Sequence, residues 1–251
     1  MPVGGIDPAF LADWVGMFII IIARLSLVIF LMPGIGEQVV PANFRILLVL
    51  GIAAAFAGSG VVQPVSVAPV SGFLVLIFGE LWISFMLGIS LRLVIWILSI
   101  VGSVIAQTIG LAQFVGVALQ FEAQTISANL LAMAGATLLL SANYHVSALS
   151  ALLGLYETVP IGAYLSFDPD FIVDGFFAGF KLAVTLAWPF VAVNLIYNIC
   201  LGFINKALPQ LMVAFVGAPF MVGAGLSLLA ISIGGLLVVW RSHVPQLIGW
   251  I

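Results

Sequence analysis

Long apolar runs, separated by short stretches rich in turn-forming residues, dominate the pattern of this chain. Four runs carry no charged residue: 46–79, 93–121, 123–156 and 207–240. Each is longer than the roughly 20 apolar residues that a helix needs to cross a bilayer. Runs such as WVGMFIIIIARLSLVIFLM also lack the alternation of a transmembrane β-strand. The pattern therefore predicts an all-α fold, integral to a membrane or assembled there from helical hairpins.

Hydropathy predicts about six apolar segments with kinked, broken helices. The sequences between them, such as MPGIGEQVVPANF and SFDPDFIVDG, are rich in Pro, Gly, Ser and Asp. The third and fourth segments are long enough to fold as hairpins, so the number of helices can differ by one or two. Because no soluble region or internal repeat is evident, we expect one membrane domain over residues 1–251. The predicted segments are Trp14–Met32, Ile46–Val62, Phe73–Val101, Ile126–Ala142, Phe176–Leu201 and Met212–Trp240.

The composition excludes several functional classes. Only 6% of the residues are charged and 64% are hydrophobic, whereas about a quarter are charged in soluble domains. Six scattered Lys and Arg residues provide no patch for nucleic acid. Two histidines and one cysteine give no metal cluster, and there is no phosphate-binding loop with a lysine. We therefore predict a protein that is not an enzyme and binds no cofactor, and interpret His145 as a structural residue at the end of a segment.

Charged residues within apolar runs are candidates for buried charges. They are Arg24, Glu80, Arg92 and Lys181. Because a charge at the bilayer centre costs about 2.5–3.5 kcal/mol on insertion scales, such residues usually face protein or water. An ion or proton pathway would use them directly. The sequence favours pairs between helices or contacts between subunits, because Glu80 is the only acid well inside a run.

Small residues recur at helical spacing in GSVIAQTIGLAQFVGVALQ. Gly102, Ala106 and Gly110 lie four residues apart, and Gly175 and Gly179 repeat this spacing in GFFAG. Small side chains on one ridge let two membrane helices approach closely. We therefore predict close helix packing here. Neutral amides between these positions favour a polar or water-facing side: Gln107, Gln113 and Gln120.

The stretch Leu208–Gly225, LPQLMVAFVGAPFMVGAG, contains two prolines and three glycines but no charge. Pro209 and Pro219 each remove a backbone hydrogen-bond donor. A broken helix at membrane depth is tolerated where protein or a water-filled cavity covers it. The alternative, two ordinary proline kinks, agrees equally well with the sequence.

Four motifs, in order, resemble the FliR/SctT family of type III export-gate subunits over most of the chain. They are RLSLVIFLMPGIGEQVVPANFRILLVLGIA, GSVIAQTIGLAQF, LLLSANYHVSALSALLGLYETVPIG and LPQLMVAFVGAPFMVGAGL. Tyr144 and Met212 stand where this family usually has Gly and Asn. The residues that carry the resemblance are Arg24, Pro33, Gly36, Pro41, Arg45, Gly102, Gln107, Gly110, His145, Pro160, Gly162, Pro209, Gln210, Gly217 and Pro219.

The resemblance implies a non-enzymatic subunit of a protein export channel in the bacterial inner membrane, at the centre of the flagellar basal body. It implies assembly with FliP and FliQ, nearby FlhB and FlhA-like proteins, contact with membrane lipid, and passage of unfolded flagellar proteins. Assembly residues would include Gly102, Ala106, Gln107, Gly175, Gly179, Pro209, Gln210, Gly217 and Pro219. A loop that plugs the lumen would comprise Gly110, Gln113, Phe114, Val115, Gly116, Val117 and Gln120.

Two other functions stay open from the sequence. An export-gate subunit of a virulence injectisome would share the same architecture. A small-solute or proton-coupled transporter would show internal pseudo-symmetry and paired broken helices. A broken helix is evident near the C-terminus without a clear counterpart in the N-terminal half.

Overall fold

The computed structural model describes residues 8–65, 69–110, 123–207 and 213–251, and within these ranges the regular structure is helical. Apolar runs, interrupted by a few charges such as Arg24 and Glu80, form the long helices, and the turn-rich sequences lie between them. The elements are α1 (Pro8–Leu31), α2 (Ala42–Gly58), α3 (Val70–Thr108), α4 (Ala123–Ser141), α5 (Tyr144–Thr158), a short 3-10 helix (Tyr164–Ser166), α6 (Asp170–Ala207) and α7 (Val213–Ile248).

Within the described residues, four helices are long and apolar enough to cross a membrane: α1, α3, α6 and α7. Helices α4 and α5 pass the same test as a pair bent by 64°, whereas α2 is apolar but has only 17 residues. The prediction of an all-α membrane protein is therefore confirmed. The six predicted segments correspond to every helix except α5, and the third segment is one helix of 39 residues rather than a hairpin.

The chain divides into two compact units, each built from parts of several helices. One unit comprises Met1–Arg92, Leu139–Asp174 and Ile248–Ile251, and the other comprises Leu93–Leu138 and Gly175–Leu247. The boundaries fall within α3, α4 and α6 and near the end of α7. The single membrane domain over residues 1–251 stays a prediction.

In the first unit, α1 packs against the N-terminal half of α3, and the two helices run parallel. Ser84 of α3 is buried, and its Oγ accepts hydrogen bonds from the backbone N–H groups of Leu27 and Val28 at 3.0 and 3.3 Å. One turn further along α3, Gly88 lies against the carbonyl of Leu27 and the side chain of Leu31. A side chain at position 88 would separate the two helices.

In the second unit, the C-terminal half of α3 packs against α4 and α7. Trp240 of α7 is fully buried, and its indole Nε1 donates a hydrogen bond to the carbonyl of Val94 at 3.0 Å. Gly135 of α4 lies against Leu98 of α3 and the ring of Trp240. A large buried ring with its one donor satisfied is the arrangement that buried tryptophans favour.

Candidate functional site

A buried ion pair links α1 to α3 in the first unit. Arg24 Nε donates a hydrogen bond to Glu80 Oε2, and both side chains have 0% exposure. The sequence identified both residues as charges within apolar runs, and the structure brings them together. A paired and hydrogen-bonded charge avoids most of the cost that an isolated charge would carry in this apolar setting.

The same pair binds the loop that follows α5. Arg24 Nη1 donates to the carbonyl of Val159 at 2.9 Å, and the N–H of Gly162 donates to Glu80 Oε1 at 3.3 Å. The Arg24 guanidinium also lies over the Tyr156 ring, 4.1 Å from its centroid. Gly162 has a φ of +86°, which glycine adopts without strain. Together these contacts hold α1, α3, the end of α5 and the following loop against one another.

The other two candidate charges have different surroundings. Arg92 of α3 pairs with Glu37, which lies in the turn after α1. Its Nη1 and Nη2 donate hydrogen bonds to Oε1 and Oε2 of Glu37 at 2.5 and 3.3 Å. Their side chains are 22% and 29% exposed, so water reaches this pair. Lys181 lies on α6 in the second unit and is exposed in the single chain. Its burial stays a prediction for an assembled state.

Gly102 lies where α3 crosses α4 most closely. A Cβ at this position would overlap the backbone of Ser127 and Ala128. Ser127 Oγ reinforces the crossing by donating a hydrogen bond to the Gly102 carbonyl at 2.9 Å. On the same helix, Ala106 is buried and Gln107 is exposed. The small residues of this ridge are therefore buried within the chain, whereas the amide of Gln107 lies on its surface.

Glycines on α6 and α7 lie at further close contacts in the second unit. Gly175 lies against the carbonyl of Leu247, and Gly179 lies between Leu247 and Ile97. Gly217 of α7 lies directly against the hydroxyl of Tyr197 on α6. A side chain at Gly175 would meet the backbone of α7 and push the two helices apart, whereas at Gly179 and Gly217 the side chains of Ile97 and Tyr197 would have to shift.

Pro219 lies inside α7, which continues through it as a helix. For this proline the structure shows a continuous helix rather than a broken one. Pro209 and Gln210 lie outside the described residues. In the predicted plug, Gly110 lies two residues after the end of α3 and has a φ of +73°, in the left-handed region that favours glycine. The remaining plug residues lie outside the described residues: Gln113, Phe114, Val115, Gly116, Val117 and Gln120.

The described residues contain no group of three or more His, Cys, Asp and Glu side chains able to hold a metal ion. His145 instead lines a small pocket together with apolar side chains such as Met32, Leu91 and Ala148. No carboxylate lines this pocket, so nothing there would orient His145 as a general base.

Sequence reasoning missed the other contacts of these charges. Glu37, Tyr156 and the loop at Val159 gave no signal in the sequence, because an ion pair between residues more than 50 positions apart follows from the fold alone. The P-x-G motif at Pro160 and Gly162 pointed to the loop, although not to its hydrogen bond with Glu80.

These features define a helical membrane protein whose inner polar groups fasten helices and loops to one another. Residues 15–247 match the family described as Bacterial export proteins, family 1, and the chain belongs to that family. The chain is similar to the flagellar biosynthetic protein FliR of Caulobacter vibrioides, with 28% identity over 235 residues that cover 91% of this chain and 93% of the relative.

Two further relatives carry the same name. FliR of Aquifex aeolicus is 27% identical over 222 residues, covering 88% of this chain and 86% of the relative. FliR of Escherichia coli is 27% identical over 232 residues, covering 87% and 84%. The resemblance identified from the four motifs is confirmed. The chain is a membrane component of bacterial protein export and has no enzymatic role.

Proposed function

We propose that this chain is a subunit of the flagellar type III export gate in the bacterial inner membrane, at the centre of the basal body. There it assembles with FliP and FliQ around the export channel, next to FlhB and FlhA-like proteins. The observation that carries the proposal is the similarity to FliR proteins over nearly the whole length of both chains.

The exposure of α6 and α7 supports a role in an assembly. In α6, only 28% of the most apolar stretch of the helix is buried within the chain. In α7 the corresponding share is 17%. Large apolar side chains such as Phe177, Phe180 and Ile231 are exposed. Lipid and neighbouring helices of a ring would cover such surfaces, because exposed apolar area of this extent is unfavourable in water.

The relatives described above are flagellar biosynthetic proteins, which favours the flagellar system over a virulence injectisome. The genes next to the gene for this chain would distinguish the two systems. We expect neighbours that encode flagellar structural proteins. Neighbours that encode a needle and its secreted effectors would favour the injectisome instead.

Within this proposal, the loop that begins at Gly110 plugs the channel. Gly110, two residues after the end of α3, has a φ of +73°, a conformation that does not continue a right-handed helix. Phe114, Val115 and Val117 then supply apolar side chains, and apolar constrictions exclude ions by excluding water. The plug would stay closed until an unfolded substrate arrives.

The plug is tested by replacing Phe114 and Val117 together with glycine in a gate that opens readily. We expect faster leakage of ions across the membrane, measured with an ion-sensitive dye in cells, because the apolar constriction is lost. The matched control replaces Val39 and Leu165, two exposed apolar residues outside the α-helices, with glycine. Equal leakage in the plug variant and the control would rule out the plug role.

A further inference from the structure

The C-terminal half of α6, residues 191–207, is a helix that the rest of the described chain leaves largely uncovered. None of these residues is buried. Three asparagines lie in this half: Asn194, Asn198 and Asn205. We call them the amide stripe. Amide side chains are unexpected on the open surface of a helix otherwise apolar enough to cross a membrane.

The three asparagines share one face of the helix. At about 100° per residue, the separations of four and seven positions keep them within about 40° of one another around the axis. Ile196 and Phe203 lie on the opposite side and are 62% and 71% exposed. The asparagine face also carries Leu201, so this half of α6 has one face with three uncharged amides and an opposite face of hydrocarbon.

Helix α7 packs at the edge of the asparagine face. Its Gly217 lies against the hydroxyl of Tyr197, at an angle between the two faces, and against Leu201, which lies on the asparagine face. The apolar face of Ile196 and Phe203 suits lipid or an apolar helix, since it presents only hydrocarbon. The amide stripe would lose hydrogen bonds in the same surroundings, so it requires water or a polar partner.

The amides satisfy one another only in part. Asn198 Nδ2 donates hydrogen bonds to the backbone carbonyl and to Oδ1 of Asn194, both at 2.8 Å. An amide side chain has two N–H donors and two acceptor positions, so this pair retains capacity for both. A surface that offers uncharged donors and acceptors together matches the N–H and C=O groups of an extended peptide.

From this geometry, and resting on the proposed function, we propose that the amide stripe faces the aqueous passage. There it forms hydrogen bonds with the backbone of an extended polypeptide in transit. The stripe runs over 12 residues of helix, a rise of about 16 Å, which matches about five residues of extended chain. Neutral amides recognise the backbone without selecting any side chain, which suits a passage for many different proteins.

The experiment measures the reactivity of single cysteines in the assembled gate. The only native cysteine, Cys200, is first replaced with serine. Asn198→Cys and Asn205→Cys then probe the stripe, while Ile196→Cys and Phe203→Cys are matched controls on the opposite face. The probe is a membrane-impermeant methanethiosulfonate. It is applied with and without an exported protein that is stalled in the gate by a tightly folded C-terminal domain.

We expect the stripe cysteines to react at least about tenfold faster than the controls, because the reactive thiolate forms in water and not in lipid. The stalled polypeptide should remove most of this difference. With copper phenanthroline added as the oxidant, a cysteine in the stalled polypeptide should also form a disulfide with a stripe cysteine. Equal rates at all four positions would overturn the aqueous exposure. Fast rates unaffected by the stalled protein would show that the stripe faces water outside the passage, and disulfides to a neighbouring subunit would show that a partner helix covers it. Either result would overturn the proposal.

Co-purification of each variant with FliP and FliQ separates this inference from the function on which it rests. A Cys200→Ser chain that never joins these proteins contradicts the proposed function itself. Variants that assemble normally but show no difference between the two faces contradict the amide stripe alone.

Discussion

Replacement of Glu80 with glutamine is expected to lower the free energy of unfolding by about 3–5 kcal/mol, the usual cost of removing one member of a buried ion pair. Arg24 would stay buried without its counter-charge, and Gly162 would lose a charged acceptor for its N–H. The measurement is thermal and denaturant unfolding of the purified chain in mild detergent, together with the amount of protein that accumulates in the membrane.

Two further variants make this result specific. Glu37→Gln breaks the partly exposed pair with Arg92 and should cost no more than about 1 kcal/mol. The double change of Arg24 and Glu80 to glutamine should cost less than the sum of the two single changes, because neither charge is then left alone. Equal losses for Glu80→Gln and Glu37→Gln would contradict the role assigned to the buried pair.

Replacement of Gly102 with alanine is expected to destabilise the chain by about 1–3 kcal/mol, the usual cost of forcing a methyl group into a packed site. The added Cβ would overlap the backbone of Ser127 and Ala128, which cannot move aside as a flexible side chain can. The measurement is again unfolding in detergent, followed by recovery of the assembled gate.

The matched control is Gly234→Ala on α7, where a Cβ would meet open space within the chain. Alanine favours a helix over glycine by about 1 kcal/mol, so this variant should be as stable as the wild type or slightly more stable. If Gly102→Ala left stability unchanged, the close crossing of α3 and α4 would not limit packing. If Gly234→Ala kept stability but lost the assembled gate, that open face would be an interface with a neighbouring subunit.

The positions of the long helices could be predicted because length and hydropathy alone select membrane helices. Helices α1, α3, α6 and α7 follow directly from the apolar runs. Helix α5 was missed, because YHVSALSALLGLYET is short and interrupted by polar residues. The suggested hairpin in the third segment was wrong, because α3 contains no proline or turn sequence that would break it.

The candidate site was predictable at the level of residue types. A charge in an apolar run needs a partner, so Arg24 and Glu80 were recognisable as unusual. Which residues pair depends on the packing of α1 against α3, and that register is set by contacts such as Ser84 with Leu27, which carry no sequence signature. The asparagines of α6 were overlooked because hydropathy averages them into an apolar window, whereas their shared face is evident from helical spacing.

The central claim, that this chain is a subunit of an export gate, is tested most directly by native mass spectrometry. The tagged chain is co-expressed with the FliP and FliQ proteins of the same bacterium and purified in mild detergent. The account predicts one complex of fixed stoichiometry that contains a single copy of this chain together with both partners. A monodisperse monomer or homodimer that leaves FliP and FliQ behind would contradict it.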